Sequence, residues 1–142
     1  MMTEKTLSII LKRIDLKKCE IIVPGRVAYI KKRTYIKGDK SNRVDEFFVI
    51  LDGNIVVGGI HIMGNYDLFW IIFEEHRGKH FLSDALKQGI VAKKCPELKE
   101  INCYHNTDKN EYEKTCYLAS LANVKVRNEY EEPFWIKKFK NN

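Results

Sequence analysis

The chain has 142 residues, of which 44% are hydrophobic and 31% charged, and this composition excludes a disordered or collagen-like polypeptide. The length suits one compact core, so we expect residues 1–142 to form a single domain. The longest apolar run, Leu68–Phe73, is too short to cross a membrane, and the first ten residues lack the features of a secretory leader. We therefore expect a soluble, cytoplasmic protein without a membrane partner.

Positive charge is concentrated at the start of the chain. Residues 1–43 hold twelve lysines and arginines against four acidic residues, a local excess of +8 in a chain whose total is +6. This excess favours an acidic partner, a nucleic acid or a phosphorylated ligand, and a solvated lysine-rich face is the alternative.

The four cysteines show no metal-ligand pattern. Cys19, Cys95, Cys103 and Cys116 form no C-x-x-C motif and have no histidine at zinc-site spacing. They sit among apolar residues, where a free thiol in a reducing compartment packs like a small hydrophobe. We therefore predict neither a metal site nor a disulfide.

The sequence of the N-terminal region indicates three short elements. We predict a strand over Leu7–Ile14 and a helix over Asp15–Ile22. A second helix is predicted over Arg26–Ile36, after the turn at Pro24-Gly25.

Three strands follow in the middle of the chain. Glu46–Leu51 is rich in aromatic and β-branched residues and ends at Asp52–Asn54, which is a strong signal for a hairpin turn. Ile55–Met63 is the second strand and Leu68–Phe73 the third, so the three form an antiparallel meander. Gly58-Gly59, inside the second strand, indicates a bulge or a close approach to the backbone.

A polar loop over residues 74–80 separates the third strand from an amphipathic helix. Apolar residues recur at helical spacing from Phe81 to Ile90, and this helix is predicted to end near Lys94 because Pro96 lacks an amide donor. Glu100–Tyr104 is the next predicted strand. A right-handed crossover makes it a parallel neighbour of the third meander strand, so the predicted sheet is mixed.

The sequence of the C-terminal region indicates one further helix and a hairpin. Asp108 and Glu111 form a variant of the capping box at the start of a helix whose face includes Tyr112. Val124–Arg127 and Pro133–Lys137 are predicted to pair as a terminal hairpin at the sheet edge.

The loop before the amphipathic helix is the most informative segment. Its core is Arg77-Gly78-Lys79, next to the first amides of a helix, which lack intrahelical acceptors and carry partial positive charge. Gly78 permits close approach of an anion, and the two cations add charge. The segment predicts a phosphate site; the alternative is a glycine that merely opens the helix beside solvated charges.

This order of elements, with a meander that leads through an R-G-K loop into a helix, resembles the GNAT superfamily of N-acetyltransferases. The family signature Q/R-x-x-G-x-G/A aligns with Glu75–His80, where Gly78 matches while Glu75 and His80 depart. The resemblance covers residues 46–137. It implies an α/β (α+β) fold with a mixed, mostly antiparallel central sheet of about six to seven strands and helices on both faces.

The resemblance also implies a site for the cosubstrate acetyl-CoA. Its pantetheine arm would pair with the strand at Ile72 and Phe73, and its pyrophosphate would bind the loop residues Arg77, Gly78, Lys79, His80 and Phe81. In the last helix, Asn110 begins a segment in which Tyr117, seven residues later, protonates the departing thiolate. Tyr112 is the alternative acid.

Members of the family transfer the acetyl group directly from the thioester to a bound amine. Glu74, at the strand end, is the first candidate for the base that deprotonates the amine, and His61 is the second. We therefore predict an N-acetyltransferase, monomeric or homodimeric, that acts on a primary amine of a small molecule or polypeptide. The basic N-terminal third suggests an acidic or phosphate-bearing acceptor, while acceptor identity and acyl length stay open.

A second class of function is also consistent with the sequence. In this alternative, the chain is a catalytically degenerate GNAT-like binding module whose basic N-terminal surface, including Lys31, Lys32 and Arg33, binds nucleic acid or an acidic partner. The family ends this helix with the pattern Y-L-x-x-L-G-F-K, and here Ala122–Val124 replaces Gly-Phe with one residue added. This departure and His80 in the signature loop favour the alternative.

Overall fold

A computed structural model of the chain describes residues 3–34, 43–63, 67–96, 100–101 and 108–127. Their helices and strands, in chain order, are α1 (Glu4–Lys12), β1 (Glu20–Val23), β2 (Val27–Thr34), β3 (Arg43–Asp52), β4 (Ile55–Met63), β5 (Asp67–Ile72), α2 (Phe81–Lys87), α3 (Ile90–Lys94), β6 (Glu100–Ile101), α4 (Lys109–Leu121) and β7 (Lys125–Val126). Short 3₁₀ turns lie at Leu16–Lys18 and Glu74–His76. The fold is α+β, as predicted.

Strands β1 to β5 form one antiparallel sheet in which the spatial order follows the chain order. The turn between β3 and β4 includes Gly53 with φ of +63°, the left-handed geometry that glycine adopts readily. The predicted meander of β3, β4 and β5 is therefore confirmed. Strands β6 and β7 form a separate parallel pair.

The sheet differs from the prediction in size and in the partner of β6. The central sheet has five strands in the described part of the chain, not six to seven, and all of its pairings are antiparallel. Strand β6 lies near β5, but its hydrogen-bonded partner in the described structure is β7. Of the predicted terminal hairpin, Val124–Arg127 contributes β7, and Pro133–Lys137 lies outside the described residues.

The predicted strand over Leu7–Ile14 is wrong, because these residues belong mainly to α1. The Thr3 side chain accepts a hydrogen bond from the Thr6 amide at 3.1 Å and caps the helix. Leu7 and Leu11, four residues apart, are fully buried on one side of it. The apolar residues between them disguise this helical spacing in the sequence.

The two helices predicted in the following segment are also wrong. Asp15–Ile22 contains only one 3₁₀ turn, whose amide at Lys17 donates to the Asp15 side chain, and then enters β1. Arg26–Ile36 contributes β2, which pairs with β3 along its whole length. Tertiary pairing thus overrides the local preference of these residues.

The single helix predicted from Phe81 to Lys94 is divided into α2 and α3. Gly89 lies between them with φ of +69°, which breaks the helical backbone. The predicted end at Lys94, shortly before Pro96, is confirmed.

Two hydrophobic cores lie on opposite faces of the sheet. The side chains of Phe47 and Phe48, neighbours on β3, point to different cores, as the period of a strand requires. One core packs against α1 through Leu7 and Leu11, and the other packs against α2, α3 and α4. Helices therefore cover both faces.

Helix α1 packs directly against the sheet at Gly59. A Cβ atom at this position would lie 2.5 Å from Leu11 Cδ2 and 2.8 Å from the Phe48 carbonyl oxygen. The close approach predicted for Gly58-Gly59 is therefore confirmed, and the register between β3 and β4 shifts beside it, between Ile50 and Leu51. Within the described ranges, no helix has the length and apolar character to span a membrane.

Candidate functional site

A cleft of about 550 Å³ opens along the outer edge of β5. Four parts of the chain form its walls: β5, the segment that runs from the loop into α2, one side of α4 and the first turn of α1. The lining residues are Glu4, Phe69–Ile72, His76–Ser83, Glu111, Lys114, Thr115, Tyr117 and Leu118. A smaller cavity of about 170 Å³ behind α2 shares only Phe81 with this set.

Seven of the ten predicted site residues line the cleft, namely Ile72, Arg77, Gly78, Lys79, His80, Phe81 and Tyr117. The fold thus brings the strand end, the loop and the later helix together, although α4 is distant from β5 in the sequence. The other three, Phe73, Glu74 and Asn110, lie outside the lining set: Glu74 is exposed in the 3₁₀ turn, and Asn110 is exposed in the first turn of α4.

Phe73 faces the core on the α1 side and not the cleft. Its ring is buried there, with the Lys12 ammonium 5.0 Å from the ring centroid. Its amide donates to the Val57 carbonyl at 2.9 Å, so its polar backbone groups face β4. Successive residues of a strand direct these groups to opposite edges, so those of Ile72 face the cleft.

The loop leaves a row of backbone amides without partners. The amides of residues 78–83 donate to no acceptor in the part of the chain that the structure describes. Gly78 has φ of +78°, and a Cβ atom there would meet no heavy atom within 4 Å. The loop therefore combines a left-handed turn, free donors and open space in front of Gly78.

His80 adopts a backbone conformation that favours glycine. Its φ of 64° is left-handed, and its exposed side chain makes no capping hydrogen bond to α2. The His80 carbonyl accepts the Asp84 amide at 2.9 Å and the Ser83 hydroxyl at 3.1 Å, which fixes the start of the helix. Such a conformation costs a non-glycine residue about 1 kcal/mol.

Arg77 bridges the strand end and α1. Its Nε donates to the Ile72 carbonyl at 2.9 Å, and its Nη2 donates to Glu4 Oε1 at 2.9 Å. Glu4 is a cleft residue that sequence reasoning missed, since Leu7–Ile14 was interpreted as a strand and nothing linked the chain start to the loop. The capping pattern at Thr3 is the signal that could have identified this helix.

Tyr117 lies on the α4 wall with 56% of its surface exposed. Within the described residues its hydroxyl has no hydrogen-bond partner, so the proton is available to a ligand. Tyr112, the alternative acid, is half-buried and is not among the residues that line the cleft. The cap predicted for this helix is confirmed, because Asp108 accepts the Glu111 amide at 2.9 Å.

His61, the second candidate base, is buried on the α1 side of β4. It is 2% exposed, its Nε2 lies 2.9 Å from Asp45 Oδ1, and its ring stacks on Phe47. Its Nδ1 has no partner among the described residues. Phe69, which does line the cleft, lies opposite His61 on the next strand, so His61 is separated from the cleft by one strand.

The basic run predicted as a nucleic-acid surface lies on β2, where two of its three residues face acidic neighbours and Arg33 faces Val44. Lys31 pairs across the sheet with Glu46, and Lys32 pairs with Asp45. Cross-strand neighbours share one face of a sheet, so these carboxylates offset part of the basic charge. The charge excess of the sequence is therefore partly offset at Lys31 and Lys32.

The described cysteines do not cluster with other ligating residues. Cys19 and Cys116 are free thiols, Cys95 is buried in the core, and Cys103 lies outside the described residues. Among the residues that the structure describes, no three histidine, cysteine, aspartate or glutamate side chains are grouped as metal ligands.

Comparison with known proteins provides no functional assignment, so a function can be proposed only from the geometry of the cleft. No protein-family model matches the chain. No curated protein and no solved structure matches it either.

Proposed function

We propose that the chain is a GNAT-like N-acetyltransferase that transfers the acetyl group of acetyl-CoA to a primary amine. One observation carries the proposal: the outer edge of β5, the Arg77–Phe81 loop and Tyr117 line the same cleft. These are the three segments in which the resemblance requires the thioester, the pyrophosphate and the general acid. The α+β fold, with helices on both faces of an antiparallel sheet, agrees with it.

The loop supports the binding of a phosphate group. Free amides at residues 78–83 and the Lys79 ammonium supply donors and positive charge at the cleft surface. Arg77 has five N–H donors, of which its contacts to Ile72 and Glu4 use two, so others are available to an anion. These groups suit a diphosphate better than a neutral ligand.

The edge of β5 supports the binding of an extended arm. The Ile72 amide faces the cleft, where the carbonyl of an amide-containing chain can accept from it, while the Ile72 carbonyl already accepts from Arg77 and the polar groups of Phe73 are directed to β4. The proposal therefore assigns the backbone contact to Ile72 and leaves Phe73 a packing role.

Acetyl-CoA supplies the thioester in this reaction. The amine nitrogen forms a bond to the carbonyl carbon, the carbon–sulfur bond breaks, and the sulfur leaves as a thiol after it receives a proton. We assign that proton to the Tyr117 hydroxyl, which recovers one from the amine through solvent. No covalent enzyme intermediate is needed.

Thiol release tests this function. With acetyl-CoA and a primary amine, the wild-type protein should release free CoA and form the amide. Tyr117→Phe should lower kcat by about a hundredfold, in the range that a general acid contributes, while acetyl-CoA binding stays intact. Absence of amide formation by the wild type, or a loss confined to Tyr112→Phe, would contradict the proposal.

A further inference from the structure

Glu4 and Arg77 form an ion pair at the end of the cleft that the proposed function assigns to the pyrophosphate. Arg77 Nη2 lies 2.9 Å from Glu4 Oε1, and both residues line the cleft. They are 73 positions apart in the sequence, so the fold brings this carboxylate to the loop. A negative side chain thus lies where a negative group of the ligand would bind.

The geometry of Arg77 makes Glu4 a competitor of a phosphate. The Nε of Arg77 donates to the Ile72 carbonyl at 2.9 Å, which holds the planar guanidinium at the strand end. A phosphate oxygen that uses the remaining donors of this guanidinium would lie beside the Glu4 carboxylate, and like charges so close repel each other. The ligand therefore either displaces Glu4 from Arg77 or binds next to a charge of its own sign.

The ion pair is exposed enough to open. The side chains of Arg77 and Glu4 are 54% and 62% exposed. Exposed ion pairs contribute little to stability, because water and salt screen them. Helix α1 does not depend on this pair, since Leu7 and Leu11 are buried and Thr3 caps the helix. The Glu4 side chain can therefore leave Arg77 while α1 keeps its position.

The other carboxylates near the loop make no such contact. Glu111 lines the cleft from α4, and within the described residues no basic side chain forms an ion pair with it. Glu75 is exposed in the 3₁₀ turn and lies outside the lining set. Both residues therefore provide controls for the charge of Glu4.

We propose that Glu4 is an autoinhibitory carboxylate, which occupies Arg77 and lowers the affinity of the cleft for acetyl-CoA, whose pyrophosphate displaces it. This inference rests on the proposed acetyltransferase function and adds a regulation of its cosubstrate site. Acetyl-CoA then binds in competition with a contact inside the chain. A change that neutralises Glu4, or that moves the first turn of α1 away from the loop, increases the affinity.

Neutral variants of three carboxylates separate this contact from the general charge of the cleft. In a calorimetric titration with acetyl-CoA, Glu4→Gln should bind about threefold more tightly than the wild type, as expected when an exposed ion pair no longer competes. Glu111→Gln should give a smaller gain, and Glu75→Gln should change the affinity by less than about 1.5-fold. Higher salt should reduce the gain in Glu4→Gln. Damage to the fold lowers affinity, so it does not produce the expected gain.

An Arg77 variant tests whether Glu4 acts through the guanidinium. Arg77→Gln should weaken the binding of acetyl-CoA, because the loop loses a cation. In that background Glu4→Gln should leave the affinity nearly unchanged, since no guanidinium remains for the carboxylate to occupy. Equal gains from Glu4→Gln in both backgrounds would overturn the inference.

The outcomes distinguish this inference from the proposed function. If the wild type binds acetyl-CoA and Glu4→Gln binds it equally or more weakly, the autoinhibitory role is wrong while the acetyltransferase function stands. The same holds if Glu111→Gln or Glu75→Gln gives as large a gain as Glu4→Gln. If neither the wild type nor Glu4→Gln binds acetyl-CoA, the proposed function itself fails.

Discussion

The two edges of the five-stranded sheet are built differently. At one edge, β1 has only four residues, and its register with β2 shifts between Ile21 and Val23. At the other edge, β5 pairs with β4 over six residues without a shift. A short and irregular edge is a common protection against unwanted pairing. A regular edge beside a cleft is suited to binding an extended ligand, so the asymmetry agrees with the site that we propose at β5.

Each edge is also covered by a basic side chain, with different consequences. At the β1 edge, Lys94 forms an ion pair with Glu20 and lies 4.6 Å from the centre of the Tyr29 ring. At the β5 edge, Arg77 contacts a strand carbonyl and Glu4, and its carboxylate partner lines the cleft. Lys94 thus packs on the sheet itself, whereas Arg77 joins the sheet to a carboxylate that lines the cleft.

The largest expected effect concerns the helix that carries Glu4 to the β5 edge. Leu11→Ala should lower the free energy of unfolding by about 2–5 kcal/mol, because Leu11 is fully buried against Gly59. Ile9→Ala on the same helix is the matched control, since Ile9 is 42% exposed and its truncation should change stability by less than about 0.5 kcal/mol. Urea unfolding measures both, and equal effects would contradict the packing described for α1.

A second prediction compares two glycines that share the left-handed backbone conformation. Gly78 and Gly53 have φ of +78° and +63°, and neither would meet a neighbour within 4 Å if it carried a Cβ atom. Alanine at either position should destabilise the protein by about 1 kcal/mol. Only Gly78→Ala should also weaken acetyl-CoA binding, by about tenfold, because only its Cβ would enter the cleft.

Calorimetric titration with acetyl-CoA checks this pair. Equal affinities for Gly78→Ala and Gly53→Ala would show that the loop at Gly78 does not contact the ligand, and the distinction between the two sheet edges would lose its functional meaning.

A smaller effect is expected at two left-handed positions, among the described residues, that lack glycine. His80 and Asn123 have φ of 64° and 59°. Glycine relieves this strain but gives the unfolded chain more freedom, so each substitution should change stability by less than about 1 kcal/mol. His80→Gly should bind acetyl-CoA more tightly, because it removes an imidazole from the cleft, whereas Asn123→Gly should not. Thermal melts with the ligand compare them, and weaker binding by His80→Gly would instead make the imidazole a phosphate contact.

The smallest expected effect concerns the basic strand. Lys31 and Lys32 face Glu46 and Asp45 across the sheet, so we expect only weak binding of a single-stranded oligonucleotide. Replacing Lys31, Lys32 and Arg33 together should leave its salt dependence nearly unchanged. Tight binding whose salt slope falls on this replacement would favour the nucleic-acid alternative.

Local chemistry accounts for the parts of the fold that were predictable. The Asp52–Asn54 turn identifies the hairpin, the Asp108 cap identifies the start of α4, and Pro96 identifies the end of α3. Each signal acts over a few residues and does not depend on distant partners. For the same reason, the sequence alone predicts a candidate site at the Gly78 loop.

The errors arise where distant contacts decide the structure. The segment that forms β2 contains the good helix formers Lys31, Lys32 and Arg33, yet it is a strand because it pairs with β3. The burial of Leu7 and Leu11 depends on the sheet surface at Gly59, so the helical spacing was not evident beside Ile9 and Ile10. Because α1 was interpreted as a strand, its carboxylate at the cleft could not be predicted. The count of strands in the sheet likewise depends on a distant pairing, because β6 pairs with β7.

The central claim is that the cleft at β5 binds acetyl-CoA, and a thermal melt tests it most directly. At a ligand concentration one hundred times the dissociation constant, binding to the native state adds about 2.7 kcal/mol of stability. For a chain of this length, this corresponds to an increase of about 5 to 15 °C in the melting temperature. We expect this shift with acetyl-CoA and with free CoA, and a smaller one with Gly78→Ala. No shift at millimolar acetyl-CoA, or an equal shift in Gly78→Ala, would contradict the claim.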